Sequence, residues 1–309
     1  MNLFTARGAL PMLIAHRQNP FDDPQWIYEL KLDGFRCLAY VDVDMTDFRN
    51  KRNLQISWRF PELQGIHNFV SQRCILDGEV VVMKSGKPDF YEVQRRTLIT
   101  DKFKITMAVQ RFPAAFVAYD CLFWKNQSLL DYPLMKRKEI LNEIVAKEVD
   151  CFTISRYFEG KGCALYHLCE EQELEGVVAK RKDSIYLMDK RVNSWIKFKR
   201  LLDEDFIVAG YISKKGNKFS IILGKYRKGK LMYKGHVTSG VTQEIISFLR
   251  PNERTTITIF PAAENAAAVW VIPERVCTIN YMPNTHNSLR EAVFKGFRED
   301  IPTWDVIES

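Results

Sequence analysis

Glu29, Lys31 and Asp33 occupy alternate positions in "YELKLDGFRC" (28–37), where Tyr28, Leu30 and Leu32 hold the positions between them. Period-two spacing points the three polar groups toward one face of a strand. Asp77 and Glu79 in "LDGEVV" repeat the arrangement, as do Lys197 and Lys199 in "WIKFK". Any one such set is ordinary for a solvated sheet carrying cross-strand ion pairs. Three sets, each in an otherwise apolar strand, are harder to assign to surface decoration. A free lysine has a pKa of about 10.4, so on the order of one in 2,500 is unprotonated at neutral pH. Neighbouring cations such as Lys197, Lys199 and Arg36 would lower that pKa, as would partial burial. A divalent metal held by Glu79 or Glu175 would neutralise charge developing on a phosphate. Lysines and carboxylates in this pattern suggest phosphoryl or nucleotidyl transfer. No G-x-x-x-x-G-K-[ST] phosphate loop or G-x-S-x-G elbow is present to do it another way.

Strands and helices in alternation must carry these groups. "WIYELKLD" and "FRCLAYVDV" flank Asp33-Gly34 and predict a β-hairpin. "CILDGEVVVM", "AAFVAYDCLF", "EGVVAKR" and "SWIKFKR" read as further strands. Leu134, Leu141, Ile144 and Val145 recur near helical spacing behind Pro133, and "GCALYHLCEEQ" predicts a second helix. Past "LLDED" the texture changes. "DFIVAGYIS", "FSIILGKYR", "KLMYKGHV", "TTITIF" and "VWVIPERVCTINYM" are short strands, with one helix over "TQEIISFLR". Five strands and a helix fit an oligonucleotide-binding (OB) barrel. The expected boundary lies between residues 200 and 205, giving domains 1–202 and 203–309.

Composition excludes several classes. No apolar stretch approaches the ~18 residues of a membrane span, and the N-terminus reads as untargeted. Seven scattered cysteines without a C-x-x-C argue against a disulfide framework or zinc site and for a reducing cytoplasm. Five dispersed histidines without H-E-x-x-H argue against a histidine metal centre. The formal charge of +7 permits a polyanionic partner without requiring one.

"KLDGFR" resembles the K-x-D-G-x-R motif of the covalent nucleotidyltransferases: DNA ligases, RNA ligases and mRNA capping enzymes. "DGE" at 77–79, "AYDCL" at 118–122, "EGVVAK" at 175–180 and "WIKFK" at 195–199 follow in that superfamily's order. "PDFYEVQRR" and "LREAVFKGFRED" are similar to the ligase module of bacterial end-joining DNA ligases, and the resemblance runs from about Pro11 to Asp300. It implies an α+β fold, in which an ATP-grasp-like nucleotidyltransferase domain of antiparallel sheets and helices precedes the OB barrel.

It also implies an ATP-dependent DNA ligase that seals 3′-OH/5′-phosphate nicks through lysyl-AMP and DNA-adenylate. Lys31 would attack the α-phosphorus of ATP, with Glu29 beside the adenine and Tyr119 stacked on it. Arg36 and Glu79 would contact ribose or nick, and Glu175, with Glu79, would bind Mg2+ or Mn2+. Lys197 and Lys199 would grip the α-phosphate. Arg49 in "DFRNKRN" matches the arginine of a motif that usually reads Ser-Arg-Asn-Gly, with Phe48 and Lys51 as departures. Arg191 resembles a basic residue that contacts the nick phosphate. Arg298 in "REDI" matches the first residue of R-x-D-K, which orients the pyrophosphate, and Ile301 stands where the lysine would be.

Between Asp205 and Glu244 no acidic residue occurs. The interval holds Lys214, Lys215, Lys218, Lys225, Arg227, Lys228, Lys230 and Lys234, interleaved with Tyr211, Phe219, Tyr226 and Tyr233. A solvated charged face would look the same. In a barrel that closes on DNA, the reading is a phosphate-gripping face. The expected partners are nicked duplex DNA, ATP, and end-joining or repair proteins, with the enzyme a monomer lacking an extra N-terminal DNA-binding domain. Three readings compete with this one: an RNA ligase, a capping-type nucleotidyltransferase, or a non-catalytic nick-binding module.

Overall fold

The computed structural model describes residues 2–17, 19–250, 259–261, 263–282 and 288–308. The chain divides into two compact units, residues 1–199 and 200–309.

The first unit opens with helix α1 (Leu3–Ala6) and strands β1 (Leu13–Arg17), β2 (Trp26–Leu30), β3 (Phe35–Val41) and β4 (Thr46–Asn50). It continues through β5 (Cys74–Lys84), β6 (Lys87–Pro88), helices α2 (Phe90–Leu98) and α3 (Lys102–Arg111), β7 (Ala114–Trp124) and β8 (Gln127–Ser128). Helix α4 (Leu134–Ile144), β9 (Phe152–Ile154), β10 (Tyr157–Glu159), helix α5 (Gly162–Glu171), β11 (Gly176–Arg181) and β12 (Arg191–Lys199) complete it.

Two sheets result. One runs β1-β12-β11-β2-β10; the other runs β4-β3-β5-β7-β8, with β6 and β9 attached. Pairing is antiparallel except between β1 and β12 and between β7 and β9. The two-residue period sorts β3 cleanly. Cys37, Ala39 and Val41 enter the core behind the second sheet, whereas Leu38 and Tyr40 face a cluster shared with Ile27 and Trp195 of the first and with Tyr186 of the β11–β12 loop. That shared cluster holds the two sheets face to face. Tyr28, Val177, Ala179 and Phe198 pack on the opposite side with Leu165 and Cys169 of α5.

The hairpin expected at Asp33-Gly34 does not form, because β2 and β3 belong to different sheets. The dipeptide carries the chain from one sheet to the other. Gly34 is needed there for close approach, since a Cβ would lie 2.2 Å from the Val80 carbonyl oxygen. Helices α2 and α3 were not read from the sequence. Both begin at an aspartate whose side chain accepts from the third residue on: Asp89 from Glu92 N, Asp101 from Lys104 N.

The second unit contains β13 (Leu202–Lys214), β14 (Lys218–Arg227), β15 (Lys230–Val237), helix α6 (Gln243–Leu249), β16 (Ala268–Met282) and β17 (Arg290–Arg298). The order is β15-β14-β13-β16-β17, and a bridge from Ser239 to Val293 brings the two ends together. Five strands with a helix after the third make an OB-type barrel. Its fifth strand is β17; the one expected over "TTITIF" (255–260) lies mainly outside the described residues. Pro273 sits within the long β16 rather than ending it. All seven cysteines are free thiols, and no described helix is long and apolar enough to cross a membrane.

Candidate active site

Strand register assembles the site. On β2, β11 and β12, Glu29 lies opposite Val178 and Val178 opposite Lys197; Gly176 lies opposite Lys199. Residues directly opposite share a face. The Lys31 amide donates to the Gly176 carbonyl at 2.8 Å, so Lys31 sits at the end of β2 beside the start of β11. Lys31, Lys197 and Lys199 therefore collect at one end of the sheet face that looks toward the other sheet.

Lys31 Nζ lies 2.8 Å from Glu175, whose carboxylate is only 3% exposed, and Lys199 Nζ lies 3.7 Å from the same carboxylate. The sequence reading expected neighbouring cations to depress the Lys31 pKa. Burial does act that way, but the carboxylates of Glu175, Glu79 and Asp33 outweigh it and hold the ammonium above its ordinary value. Glu79, opposite Arg36 across β3 and β5, responds the other way. Burial pushes its pKa up to about 8, against the opposing pull of Lys31 and Arg36.

Gly176 makes the junction possible. Its φ is +140° and a Cβ would lie 2.0 Å from the Phe198 carbonyl oxygen. Gly176→Ala is expected to force β11 from β12 beside Glu175 and Lys199 and to slow reaction at Lys31 by roughly tenfold or more. Labelling of Lys31 by radioactive ATP in wild type and variant, with melting curves alongside, measures this.

Arg36 is part-buried and already paired. Its guanidinium is clamped by Asp77 (2.9 and 2.5 Å), touches the Met12 carbonyl, and faces the Tyr186 hydroxyl at 3.3 Å. Tyr186 itself donates to Asp77 at 2.7 Å. The guanidinium also lies 5.6 Å from the Tyr119 ring centroid and 5.4 Å from that of Trp195. Arg36 thus ties Asp77 and the Met12 backbone to the Tyr119–Trp195 aromatic pair. Burial drives the Tyr119 hydroxyl pKa well above its ordinary value, so the ring stays neutral.

Glu29 shares the face of Lys31 but is buried, and it pairs with Lys138 of α4 and Lys180 of β11 rather than with Lys31. Neither lysine was singled out from sequence. Lys180 ends the stretch "EGVVAK" with no local signal of its own, whereas Lys138 carries one, because 134, 137, 138 and 141 form one helical stripe on which two positions are basic.

Two DNA-contact candidates lie apart from this cluster. Arg49 is bound to Asp47 at 2.9 Å and to the Asn53 carbonyl at 3.2 Å, within its own turn. Arg191, at the start of β12, is exposed and donates to the Ile14 carbonyl at 2.7 Å.

In the second unit the basic interval is not one face. Lys214, Lys215 and Lys218 surround the β13–β14 turn, and Arg227, Lys228 and Lys230 surround the β14–β15 turn. The ten-residue β14 separates the two groups by roughly 30 Å. All six side chains are exposed. Lys225 is excluded from both groups: it is buried, paired with Glu204, and lies 4.7 Å over the Phe206 ring. Tyr211 and Phe219 are core residues rather than a stacking surface. Arg298 is held by Asp300 at 2.8 and 2.6 Å, and Ile301 packs with Ile207, Val276 and Val306. The position that breaks R-x-D-K is therefore filled by apolar packing.

Among the described residues no three His, Cys, Asp or Glu converge as a metal cluster. Two adjacent carboxylates, Glu79 and Glu175, are nevertheless a hard-oxygen pair of the kind that holds Mg2+ together with substrate phosphates and water.

Residues 11–199 match the ATP dependent DNA ligase domain, and residues 214–301 match the ATP dependent DNA ligase C terminal region. The multifunctional non-homologous end joining protein LigD of Pseudomonas aeruginosa is 29% identical, over 91% of this chain and 34% of that protein. DNA ligase C1 of Mycolicibacterium smegmatis is 32% identical, over 92% of this chain and 86% of that one. The crystal structure of the ligase domain of LigD from M. tuberculosis is 25% identical with a TM-score of 0.56, over 98% of this chain and 99% of that one. The chain thus spans about a third of the Pseudomonas protein and most of the Mycolicibacterium one. Domain matches over both units and a 32% identical relative covered for most of its length agree: this chain belongs to the ATP-dependent DNA ligase family.

Proposed function

We propose that the protein seals 3′-OH/5′-phosphate nicks in duplex DNA with ATP, through a covalent lysyl-AMP at Lys31. The observation that carries this is the Lys31–Glu175–Lys199 array, in which a nucleophile at 2.8 Å and a second cation at 3.7 Å meet one nearly buried carboxylate. The Lys31 amine, once deprotonated, attacks the α-phosphorus; the α–β anhydride bond breaks and pyrophosphate leaves. A 5′-phosphate oxygen then takes the adenylyl group, freeing the lysine. Last, the 3′-hydroxyl attacks the 5′-phosphorus and expels AMP. Lys197 and Lys199, on one face of β12, would stabilise the charge that develops on the α-phosphate. Tyr119 offers the purine an aromatic face beside Arg36 and Lys180.

Glu175 and Glu79 are the ligands assigned to a divalent cation, Mg2+ or Mn2+. Such a cation would neutralise phosphate charge and draw these carboxylates away from Lys31, lowering its pKa. Seven free thiols support a reducing, cytoplasmic setting, and the protein is proposed to act as a monomer. The likeness to the Pseudomonas end-joining protein supports end-joining or repair proteins as further partners.

The test is ligation of a nicked duplex with ATP and magnesium, with RNA nicks and labelled GTP run in parallel. Sealing of DNA and labelling by ATP are expected. Labelling by GTP, or sealing confined to RNA, would replace this reading by the capping or RNA-ligase alternative.

Duplex binding should be sequence-independent and steeply salt-dependent. If all six exposed hairpin cations meet phosphates, log K against log salt has a slope of about −5. Neutralising Lys214, Lys215 and Lys218 together should make it shallower by about 2 to 3, whereas Lys225→Met should leave it unchanged. A slope near zero in the wild type would remove the barrel from DNA binding.

A further inference from the structure

Glu29 is 2% exposed, as are both lysines that contact it. Lys180 Nζ donates to its Oε2 at 2.9 Å and the Ser155 hydroxyl donates to the same oxygen at 3.1 Å. Lys138 Nζ touches the other oxygen, Oε1, in a buried ion pair. Two buried ammonium groups thus serve one carboxylate. Burying ions is costly, and one lysine would already neutralise Glu29, so the second is not explained by charge balance.

The location suggests what it is for. Lys180 Nζ lies 4.3 Å from the Tyr119 ring centroid and 4.1 Å from that of Trp195, so the cluster borders the aromatic face assigned to the purine. Lys138 approaches from outside the sheet, on α4, 5.6 Å over the ring of Tyr157. Tyr157 is the β10 residue directly opposite Glu29. A lone buried carboxyl group tends to take up a proton and could then donate as well as accept. Here burial pushes the Glu29 pKa up, but the two ammonium groups overcome it and keep the group ionised.

We propose that Lys138 is a positioning residue for nucleobase choice: it anchors Glu29 as a fixed, acceptor-only neighbour of the purine. This rests on the placement of the purine against Tyr119 described above. Adenine carries a 6-amino donor, which a carboxylate accepts; guanine and hypoxanthine carry a 6-oxo acceptor, which it repels. Lys138 reaches no substrate atom in this arrangement and acts only through Glu29.

The experiment measures kcat/KM for labelling of the full-length protein by ATP, GTP and ITP. Wild type, Lys138→Met, Lys138→Gln, Glu29→Gln and the Glu29→Gln/Lys138→Met pair are compared, with melting temperatures for each. The ATP:GTP and ATP:ITP ratios should fall about tenfold or more in each neutral Lys138 variant, the scale of one misplaced charge-assisted hydrogen bond. Glu29→Gln should lower them too, and the double variant should lower them no further than Glu29→Gln alone. An unchanged ratio in either folded Lys138 variant, even with a lower rate, would overturn the proposal and leave Lys138 a packing residue. Lys138→Gln keeps a polar group of similar reach, so the ratio can be read even if the methionine variant does not fold. Absence of label on the wild type would instead overturn the ligase reading itself.

Discussion

Lys31→Ala is expected to form no lysyl-AMP and to seal no nick from ATP, a loss of more than about a thousandfold, as when the nucleophile of a covalent mechanism is removed. The fold should survive. Lys31 is part-exposed, and Glu175 keeps Lys199 as a cationic neighbour at 3.7 Å, so the buried carboxylate is not stranded. Lys31→Arg makes the argument stricter, because arginine preserves the ion pair to Glu175 but stays protonated and cannot attack. Both variants should still join a nick supplied already adenylated, since attack of the 3′-hydroxyl on that phosphorus uses no lysine nucleophile. Denaturing gels with labelled ATP, and ligation of pre-adenylated DNA, separate these outcomes. Sealing from ATP by Lys31→Ala at the wild-type rate would remove Lys31 as the nucleophile. Failure of the wild type on both substrates would favour the non-catalytic nick-binding reading.

The strands that bear the chemistry were legible because two-residue periodicity survives in any sheet. Glu29, Lys31, Lys197 and Lys199 do share a face, reached through the register of β2, β11 and β12. What periodicity does not carry is which sheet a strand joins. Asp33-Gly34 has the composition of a tight hairpin, yet here the glycine serves a backbone approach to Val80, a tertiary demand with no local signature. Direction of charge was equally opaque. The basic interval of the barrel looked continuous along the chain, but strand β14 places its two ends at opposite ends of a ten-residue strand. The electrostatics of Lys31 were misjudged for a related reason: Glu175 is 144 residues away in sequence and 2.8 Å away in space. Helix α4 did carry its own warning, since a buried stripe with two basic positions must find carboxylates somewhere.

That stripe leads to the largest expected effect on stability. Arg137 and Asp120 are both wholly buried and joined by two hydrogen bonds of 2.8 Å. The Arg137 Nη1 group donates to the carbonyls of Tyr132 (2.5 Å) and Ser184 (2.8 Å). The one side chain therefore ties α4 to β7, to the loop before the helix and to the segment that carries Tyr186. Arg137→Met should destabilise the first unit by about 3–5 kcal/mol, because it leaves the buried Asp120 carboxylate without its cation, with only the Cys121 amide donating to it, and takes the guanidinium from two carbonyls. For a unit near 200 residues that corresponds to a melting temperature lower by roughly 10 °C. Arg137→Met combined with Asp120→Leu should recover part of the loss, since replacing both partners removes the stranded charge. Scanning calorimetry of the full chain reads both values, and a shift under about 1 °C for the single variant would show that the pair carries little. The site is coupled to this anchor by sequence adjacency. Tyr119 precedes Asp120 and Lys138 follows Arg137, so loosening α4 should also weaken labelling by ATP at temperatures where the variant is still folded. An ion pair that touches no substrate thus fixes both the aromatic face and the ammonium behind Glu29.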